Sequence, residues 1–210
     1  MPSLVIIAGP NGAGKSTTST KLLEDRGIEA FDFDKEFYNT WKLFGYDPAV
    51  ERGVRESTEA KFIEAKQTAI LTKTEFAFET NFNTATILET VNEFKSNGFD
   101  VYLIFISLLN EEHAIARVKN RVANGGHAVE EKTIRERFKQ GLELLDNSFK
   151  EFKSIVLHFS TDNDSNVLVY IEDVAKNIVK INQGIPQGLK EKLPKFCRYL
   201  KQGKRLRHGF

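Results

Sequence analysis

The hydrophobic pattern divides the chain into short apolar stretches and longer amphipathic ones. Runs of apolar, often β-branched or aromatic residues bounded by polar turns are typical of buried strands. These runs predict strands at residues 4–8, 28–34, 75–80, 100–107 and 154–160, followed by a loop at 162–166 and an edge strand at 167–171. Apolar residues at helical spacing predict helices at about residues 15–26, 49–73, 83–97, 110–122 and 130–152.

The predicted strands and helices alternate, and this order determines the expected fold class. Consecutive parallel strands joined by a helix form right-handed βαβ crossovers, which place helices on both faces of one sheet. We therefore expect a three-layer α/β/α fold with a mainly parallel sheet of five to six strands. Residues 1–188 would form this domain, because the glycine- and proline-containing segment 184–188 interrupts the pattern.

A glycine-rich motif directly follows the first predicted strand. It reads Gly-x-x-x-x-Gly-Lys-Ser from Gly9 to Ser16, and a predicted helix follows it. A strand, a glycine loop and a helix in this order are typical of a loop that binds the phosphates of a nucleotide. The backbone N–H groups of such a loop turn inward around phosphate oxygens, and the helix N-terminus adds partial positive charge. The motif predicts a P-loop NTPase fold.

This loop supplies the candidate nucleotide site. Lys15 can reach the β- and γ-phosphates of ATP, and the Ser16 hydroxyl can ligate Mg²⁺. The residues expected to contact the nucleotide are Gly9, Pro10, Asn11, Gly12, Ala13, Gly14, Lys15, Ser16 and Thr17. ATP and Mg²⁺ are therefore the expected cofactors.

Three acidic residues fall at the carboxyl ends of predicted strands, where ligands gather in a parallel α/β sheet. Asp34 lies furthest along the second strand and is the candidate general base for an attacking hydroxyl. Asp32 would organise the metal shell or a backbone turn, and Glu79 would face the metal or hold the substrate. Thr80 and Asn81 add polar groups to the same strand end and are further candidates for substrate binding. The alternative is that the aspartates cap the next helix and that Glu79 is an ordinary polar strand end.

A second cluster lies on two predicted helices joined by a pair of glycines. Its members are Arg117, Arg121, His127, Arg135 and Arg137. Arginines on a hinged helical pair suit a lid, at about residues 113–137, that closes over a transferring phosphoryl group. Arg121 and Arg135 are the candidate catalytic arginines, whereas Arg117 and Arg137 are expected to bind substrate. For any one of these arginines, a solvated helix face is the alternative interpretation.

Four segments together resemble the zeta-toxin family of P-loop kinases. They are Gly-Pro-Asn-Gly-Ala-Gly-Lys-Ser-Thr at 9–17, Phe-Asp-Phe-Asp at 31–34, Phe-Ala-Phe-Glu-Thr at 76–80 and Arg-Val-x-x-Arg-Val-x-x-Gly-Gly-His at 117–127. The resemblance covers about residues 3–160 and extends to UDP-N-acetylglucosamine kinases.

The resemblance carries several implications. It implies transfer of the γ-phosphate of ATP, with Mg²⁺, to the hydroxyl of a small molecule such as a UDP-sugar. It implies that Asp34 is the base and that Glu79 holds the substrate. It also implies that Arg121 and Arg135 are the lid arginines, with Arg137 as the alternative to Arg135. A protein antitoxin or regulator becomes a candidate partner.

Composition excludes some classes of protein. The chain has 210 residues, of which 40% are hydrophobic and 28% charged, as in a soluble globular protein. No apolar run approaches the ~20 residues that cross a bilayer, so we expect no membrane contact. Cys197 is the only cysteine, and no basic and apolar leader precedes the first strand, so we expect a cytoplasmic protein.

Charge is unevenly distributed along the chain. Residues 189–210 hold eight Lys or Arg and one Glu, a net charge of +7, which leaves −6 on the other residues. We expect this basic C-terminal tail to form a helix that docks on the acidic body, with nucleic-acid contact as the less favoured alternative. Two other functions also stay open: a polynucleotide or nucleoside kinase, and a nucleotide-dependent binding or regulatory ATPase.

Overall fold

The computed structural model describes residues 1–161 and 165–205, and within them eight strands form one sheet in the order β2-β3-β1-β4-β5-β6-β7-β8. The strands are β1 (Ser3–Ala8), β2 (Phe31–Asp32), β3 (Phe76–Thr80), β4 (Asp100–Ser107), β5 (Ser154–Ser160), β6 (Ser165–Asp173), β7 (Ile178–Ile181) and β8 (Lys204–Arg205). From β2 to β5 all neighbouring strands pair in parallel. The expected α/β class with a mainly parallel sheet is confirmed.

Eight helices accompany these strands in the described ranges. They are α1 (Lys15–Leu23), α2 (Phe33–Leu43), α3 (Glu51–Thr72), α4 (Thr86–Ser96), α5 (Glu111–Ala123), α6 (Glu131–Ser148), α7 (Gln187–Lys192) and α8 (Pro194–Gln202). None of the helices in the described ranges is long and apolar enough to cross a membrane. Every residue of β1 is buried, which places this strand at the centre of the core, between β3 and β4.

The second strand is shorter than the pattern predicts. It covers only Phe31–Asp32, and α2 begins at Phe33. The Asp32 side chain accepts a hydrogen bond from the Lys35 backbone N–H at 3.0 Å, which is the geometry of a helix N-cap. Asp34 therefore lies in the first turn of α2 and not at the end of a strand, which corrects its predicted position.

The start of α4 also differs from the prediction. Asn83, where the helix was expected to begin, lies before it, because α4 begins at Thr86 after Ala85. The Asn83 side-chain amide lies 3.4 Å from the Gln140 oxygen, within hydrogen-bonding distance. A polar residue before an apolar face thus marks this helix start only to within a few residues.

The C-terminal part of the sheet departs most from the prediction. The strand predicted at 167–171 is not an edge strand, because β6 runs antiparallel to both β5 and β7. The sheet has eight strands instead of five to six because β7 and β8 continue it. Both are short, with four and two residues, and carry no clear alternation of apolar and polar positions. The loop predicted at 162–166 falls largely outside the described residues.

The basic C-terminal segment packs onto the body of the domain, as the docked-helix interpretation expects. Phe196 is fully buried, and its ring packs against Phe149 at a centroid distance of 5.3 Å. The Phe196 backbone N–H donates to the buried Asp146 carboxylate at 2.8 Å. Lys192 forms an ion pair with Glu111 at 2.7 Å. The segment is therefore held by apolar burial together with charge complementarity.

We predict that Phe196→Ala lowers the free energy of unfolding by about 3–5 kcal/mol, because it leaves a cavity in a closed part of the core. Chemical denaturation of the purified protein measures this loss. Arg198→Ala is the matched control on the same helix, because Arg198 is exposed and its replacement is expected to change stability by less than about 0.5 kcal/mol. Equal stability of the Phe196 variant and the wild type would contradict the docked arrangement.

Candidate active site

Two adjoining cavities open at the carboxyl ends of the central strands. The first, here called the loop cavity, has a volume of about 300 Å³ and is lined by the glycine loop and the start of α1. The second, here called the helical cavity, has a volume of about 630 Å³ and is lined by α2, the start of α3 and the segment around His127. The residues that line both cavities are Ser16, Asp32, Asp34 and Arg121. A ligand in one cavity would therefore meet a ligand in the other at these four side chains.

The glycine loop has the backbone geometry that its sequence predicts. Gly9, Gly12 and Gly14 have φ angles of +147°, +79° and +88°, which side chains rarely allow. At Gly9 the requirement is also steric, because a Cβ atom there would lie 2.3 Å from the Ile106 carbonyl oxygen. The loop then leads directly into α1 at Lys15.

Lys15 lies partly buried beneath the loop. Its ammonium group donates to the carbonyl oxygens of Gly9 and Pro10 at 3.0 and 3.3 Å and to Oδ1 of Asn81 at 3.1 Å. Burial lowers the pKa of Lys15, while the nearby carboxylates of Asp34, Glu79 and Asp32 act in the opposite direction. Asn81, predicted to bind substrate, is thus placed against the lysine of the loop.

The Ser16 hydroxyl lies between two carboxylates. Its Oγ atom is 3.1 Å from Oδ2 of Asp32 and 2.9 Å from Oε2 of Glu79. Ser19, one helical turn further on, donates to Oε1 of Glu79 at 2.6 Å. Burial raises the pKa of Glu79, and the hydrogen bonds from the two serines oppose that shift. Ser19 is a site residue that the sequence motif does not reveal.

This oxygen-rich group suits a hard divalent cation. Magnesium prefers carboxylate, hydroxyl and water oxygens, and Ser16, Asp32 and Glu79 offer two carboxylates and one hydroxyl. Glu79 is only 7% exposed, so its carboxylate is held in place while one side of it faces the loop cavity. Two roles were predicted for Glu79, facing the metal or holding the substrate. This geometry favours the first.

Thr80 is used within the protein. Its hydroxyl accepts a hydrogen bond from the Phe82 backbone N–H at 3.0 Å, and its carbonyl accepts one from Gly9 at 3.2 Å. It lines neither the loop cavity nor the helical cavity. The predicted substrate contact of Thr80 is therefore not supported by its position.

Besides Arg117, which lines the loop cavity, two of the predicted arginines reach the cleft. Arg121 lines both cavities, and its guanidinium donates to the His127 carbonyl oxygen at 2.9 Å. Arg137 lines the helical cavity and donates to the side-chain oxygen of Asn11, in the glycine loop, at 3.2 Å. These contacts place one guanidinium from each of α5 and α6 near the loop.

Arg135 does not lie in the cleft, which corrects its predicted position. Its guanidinium forms an ion pair with Glu112 at 2.5 Å, and its side chain is 45% exposed. Residues two apart on a helix point about 200° apart, so Arg135 and Arg137 cannot both face the loop. The structure brings Arg137, the alternative, to the site.

Helix α5 ends in a defined C-terminal motif. Gly125 has φ +85° and donates to the Val122 carbonyl, while Gly126 donates to the Arg121 carbonyl, as in a Schellman motif. A Cβ atom at Gly126 would lie 2.5 Å from Cγ of Arg121, so glycine there leaves room for the arginine stem. The motif therefore positions Arg121.

His127 then stacks on Tyr38 of α2. The centroids of the two rings lie 3.7 Å apart, with an angle of 12° between the planes. Burial and the charge of Arg121 lower the pKa of His127, while Asp34 acts in the opposite direction. Tyr38 and Trp41 line the helical cavity. Sequence reasoning did not name them as site residues, and only the high aromatic content of residues 35–47 points to them.

No family model matches the chain. An uncharacterized protein of Haemophilus influenzae is 28% identical over 134 residues, which are 64% of this chain and 91% of that protein. Several solved structures with lower sequence identity align with most of the chain.

A putative kinase from Chloroflexus aurantiacus has a TM-score of 0.54 and 19% identity, over 65% of this chain and 76% of that chain. A chain of the PezAT toxin-antitoxin system of Streptococcus pneumoniae has a TM-score of 0.59 and 15% identity, over 96% of this chain and 86% of that chain. The chain has a P-loop kinase fold. The resemblance to zeta-toxin-like kinases is thereby confirmed at the level of the fold.

A chain of the AvrRxo1-ORF1:AvrRxo1-ORF2 complex has a TM-score of 0.64 and 13% identity over 92% of this chain. The aligned region spans only 63% of that chain, so the AvrRxo1 protein has substantial parts without a counterpart here. The same pair has also been solved with ATP.

Proposed function

We propose that the protein is a Mg²⁺-dependent kinase that transfers the γ-phosphate of ATP to a hydroxyl of a small molecule. The observation that carries this proposal is the pair of adjoining cavities that share Ser16, Asp32, Asp34 and Arg121. A transferase needs a donor site and an acceptor site that meet at the reacting atoms, whereas a simple nucleotide-binding module needs only one. Support for ATP comes from the glycine loop and from the ATP complex of a chain with the same fold.

The loop cavity would hold the triphosphate. Its backbone N–H groups, the α1 N-terminus and the Lys15 ammonium would bind phosphate oxygens. Mg²⁺, when bound by Ser16 with Asp32 and Glu79, would neutralise charge on the β- and γ-phosphates. Arg121 and Arg137 would stabilise the charge that develops on the transferring group.

The helical cavity would hold the acceptor. Phe37, Tyr38 and Trp41 give it an aromatic wall, and Arg55 and Arg137 add two guanidinium groups, of which Arg55 pairs with Glu51 in the same wall. These groups suit an acceptor with both a flat ring and an anionic group, and a UDP-sugar has both. Asp34 lines both cavities and would accept the proton of the attacking hydroxyl.

We predict that Asp34→Asn lowers the rate of phosphate transfer by about 10²–10⁴-fold, because the amide cannot accept the proton. The affinity for ATP should change little, since the base acts on the acceptor. Single-turnover transfer and equilibrium ATP binding measure the two quantities separately.

Glu36→Gln is the matched control, because Glu36 lies in the same first turn of α2 but pairs with Lys61 and lines neither cavity. Its transfer rate should stay near that of the wild type. Unchanged transfer by Asp34→Asn would mean that the base is another residue, with Asp32 the first to test.

A polynucleotide acceptor is less well supported. The basic helix α8 packs beside Asp146 and Asn147, at the C-terminal end of α6, whereas Arg137 lies near the start of that helix. Lys192 of the same segment lies over the Phe138 ring, but no basic residue in the described part of segment 189–210 lines the helical cavity. We also propose a cytoplasmic location and a protein regulator, the latter because chains with this fold come from the AvrRxo1-ORF1:AvrRxo1-ORF2 complex and from the PezAT toxin-antitoxin system.

A further inference from the structure

Arg117 lines the loop cavity, but its guanidinium is bound by groups of the protein itself. It lies in the middle of α5, and its Nη1 atom donates to the Gly12 carbonyl oxygen at 3.2 Å and to Ser160 Oγ at 2.8 Å. Its Nη2 atom donates to the Thr161 carbonyl oxygen. One guanidinium thus joins three separate parts of the chain: helix α5, the glycine loop and the end of β5.

Helix α5 and the glycine loop also pack closely through uncharged atoms. A Cβ atom at Gly12 would lie 3.1 Å from both the Ala114 carbonyl oxygen and the Arg117 Cβ atom. Ala114 and Val118, on the same side of α5, are almost fully buried. The first half of α5 is therefore part of the core.

We propose that Arg117 is a positioning residue that holds the glycine loop in its phosphate-binding conformation by fixing the Gly12 carbonyl. The inference rests on the proposed nucleotide site, because it assigns the loop its phosphate-binding role. In that role Arg117 acts on the nucleotide only through the glycine loop. The sequence instead predicts that Arg117 contacts the substrate directly.

The physical reason lies in the geometry of a phosphate-binding loop. Its N–H groups converge on the anion, so its carbonyl groups must point outward. An outward carbonyl that is held by a guanidinium cannot rotate inward, where it would repel phosphate. The planar fork of arginine reaches several acceptors at once, and a lysine ammonium at the same position cannot.

The test compares Arg117→Lys and Ser160→Ala with the wild type. Arg117→Lys keeps the positive charge but loses the fork, and should weaken ADP binding by about 10-fold or more. Ser160→Ala leaves the arginine in place and removes one acceptor, so it should weaken ADP binding by a smaller factor. Lys119→Ala is the control on α5, because Lys119 is exposed and pairs with Glu131.

Amide hydrogen exchange of residues 9–17, measured without nucleotide, tests the inference independently of the proposed function. Exchange should be faster in Arg117→Lys and Ser160→Ala than in the wild type and in Lys119→Ala, with the melting temperature of Ser160→Ala almost unchanged. Unchanged exchange in both variants would overturn the positioning role. A wild-type protein that binds no ADP would instead contradict the proposed function and leave the exchange result to stand by itself.

Discussion

Lys15→Ala is expected to lower phosphate transfer by about 10³-fold or more, the largest loss that we expect from any lysine of the chain. The Lys15 ammonium is partly buried under the glycine loop, within hydrogen-bonding distance of the Gly9 and Pro10 carbonyls and of Asn81. When a nucleotide binds, this charge is available to the β- and γ-phosphates in a partly buried site, where it is worth more than at the surface.

The measurement is transfer at saturating ATP, together with the melting temperature of the variant. Since burial already lowers the pKa of Lys15, removing its amine should cost little folding stability. Lys21→Ala, on the exposed side of the same helix, is the control and should retain the wild-type rate. Turnover near the wild-type level in Lys15→Ala would show that the nucleotide does not bind at this loop.

Arg121→Ala and Arg137→Ala are expected to lower turnover by about 10³–10⁵-fold each, the range typical of an arginine that stabilises phosphoryl transfer. Arg121 lines both cavities, and Arg137 contacts Asn11 of the glycine loop. Lysine at either position should restore little activity, because it lacks the planar fork that holds two phosphate oxygens.

Arg135→Ala is the matched control for this pair, two residues from Arg137 on the same helix. Arg135 pairs with Glu112 at the surface, so its loss should change the rate by less than about twofold. A large loss in Arg135→Ala, with Arg137→Ala near the wild type, would show that α6 turns its other face to the phosphates during catalysis. Full activity in both Arg121→Ala and Arg137→Ala would mean that the segment after α5 is only a structural turn.

Much of the fold could be predicted because its main signals are local. The strands at 100–107 and 154–160 appear in the structure with the predicted bounds, since long apolar runs between polar turns have few alternatives. The loop glycines could be predicted for the same reason, because a positive φ angle limits the choice of residue. Asn110, at the start of the helix predicted at 110–122, is a third local signal, because its side chain accepts a hydrogen bond from the His113 backbone N–H as an N-cap does.

The remaining features depend on contacts that spacing alone does not determine. The choice between Arg135 and Arg137 depends on which face of α6 meets the glycine loop, and a sequence gives only the angle between the two residues. The two-serine contact with Glu79 joins residues 60 or more positions apart. Strands β7 and β8 are short, and β8 reaches the sheet edge only after the chain has passed through α7 and α8.

The most direct test of the kinase assignment is to follow the γ-phosphate of labelled ATP in the presence of Mg²⁺ and candidate acceptors. The acceptors are UDP-sugars, nucleosides and oligonucleotides with a 5′-hydroxyl, each tested with the wild type and with Asp34→Asn. We predict that the wild type transfers the label to a small molecule and that the Asp34→Asn variant does so far more slowly. Label that appears only as inorganic phosphate, or only on oligonucleotides, would contradict the proposed small-molecule kinase.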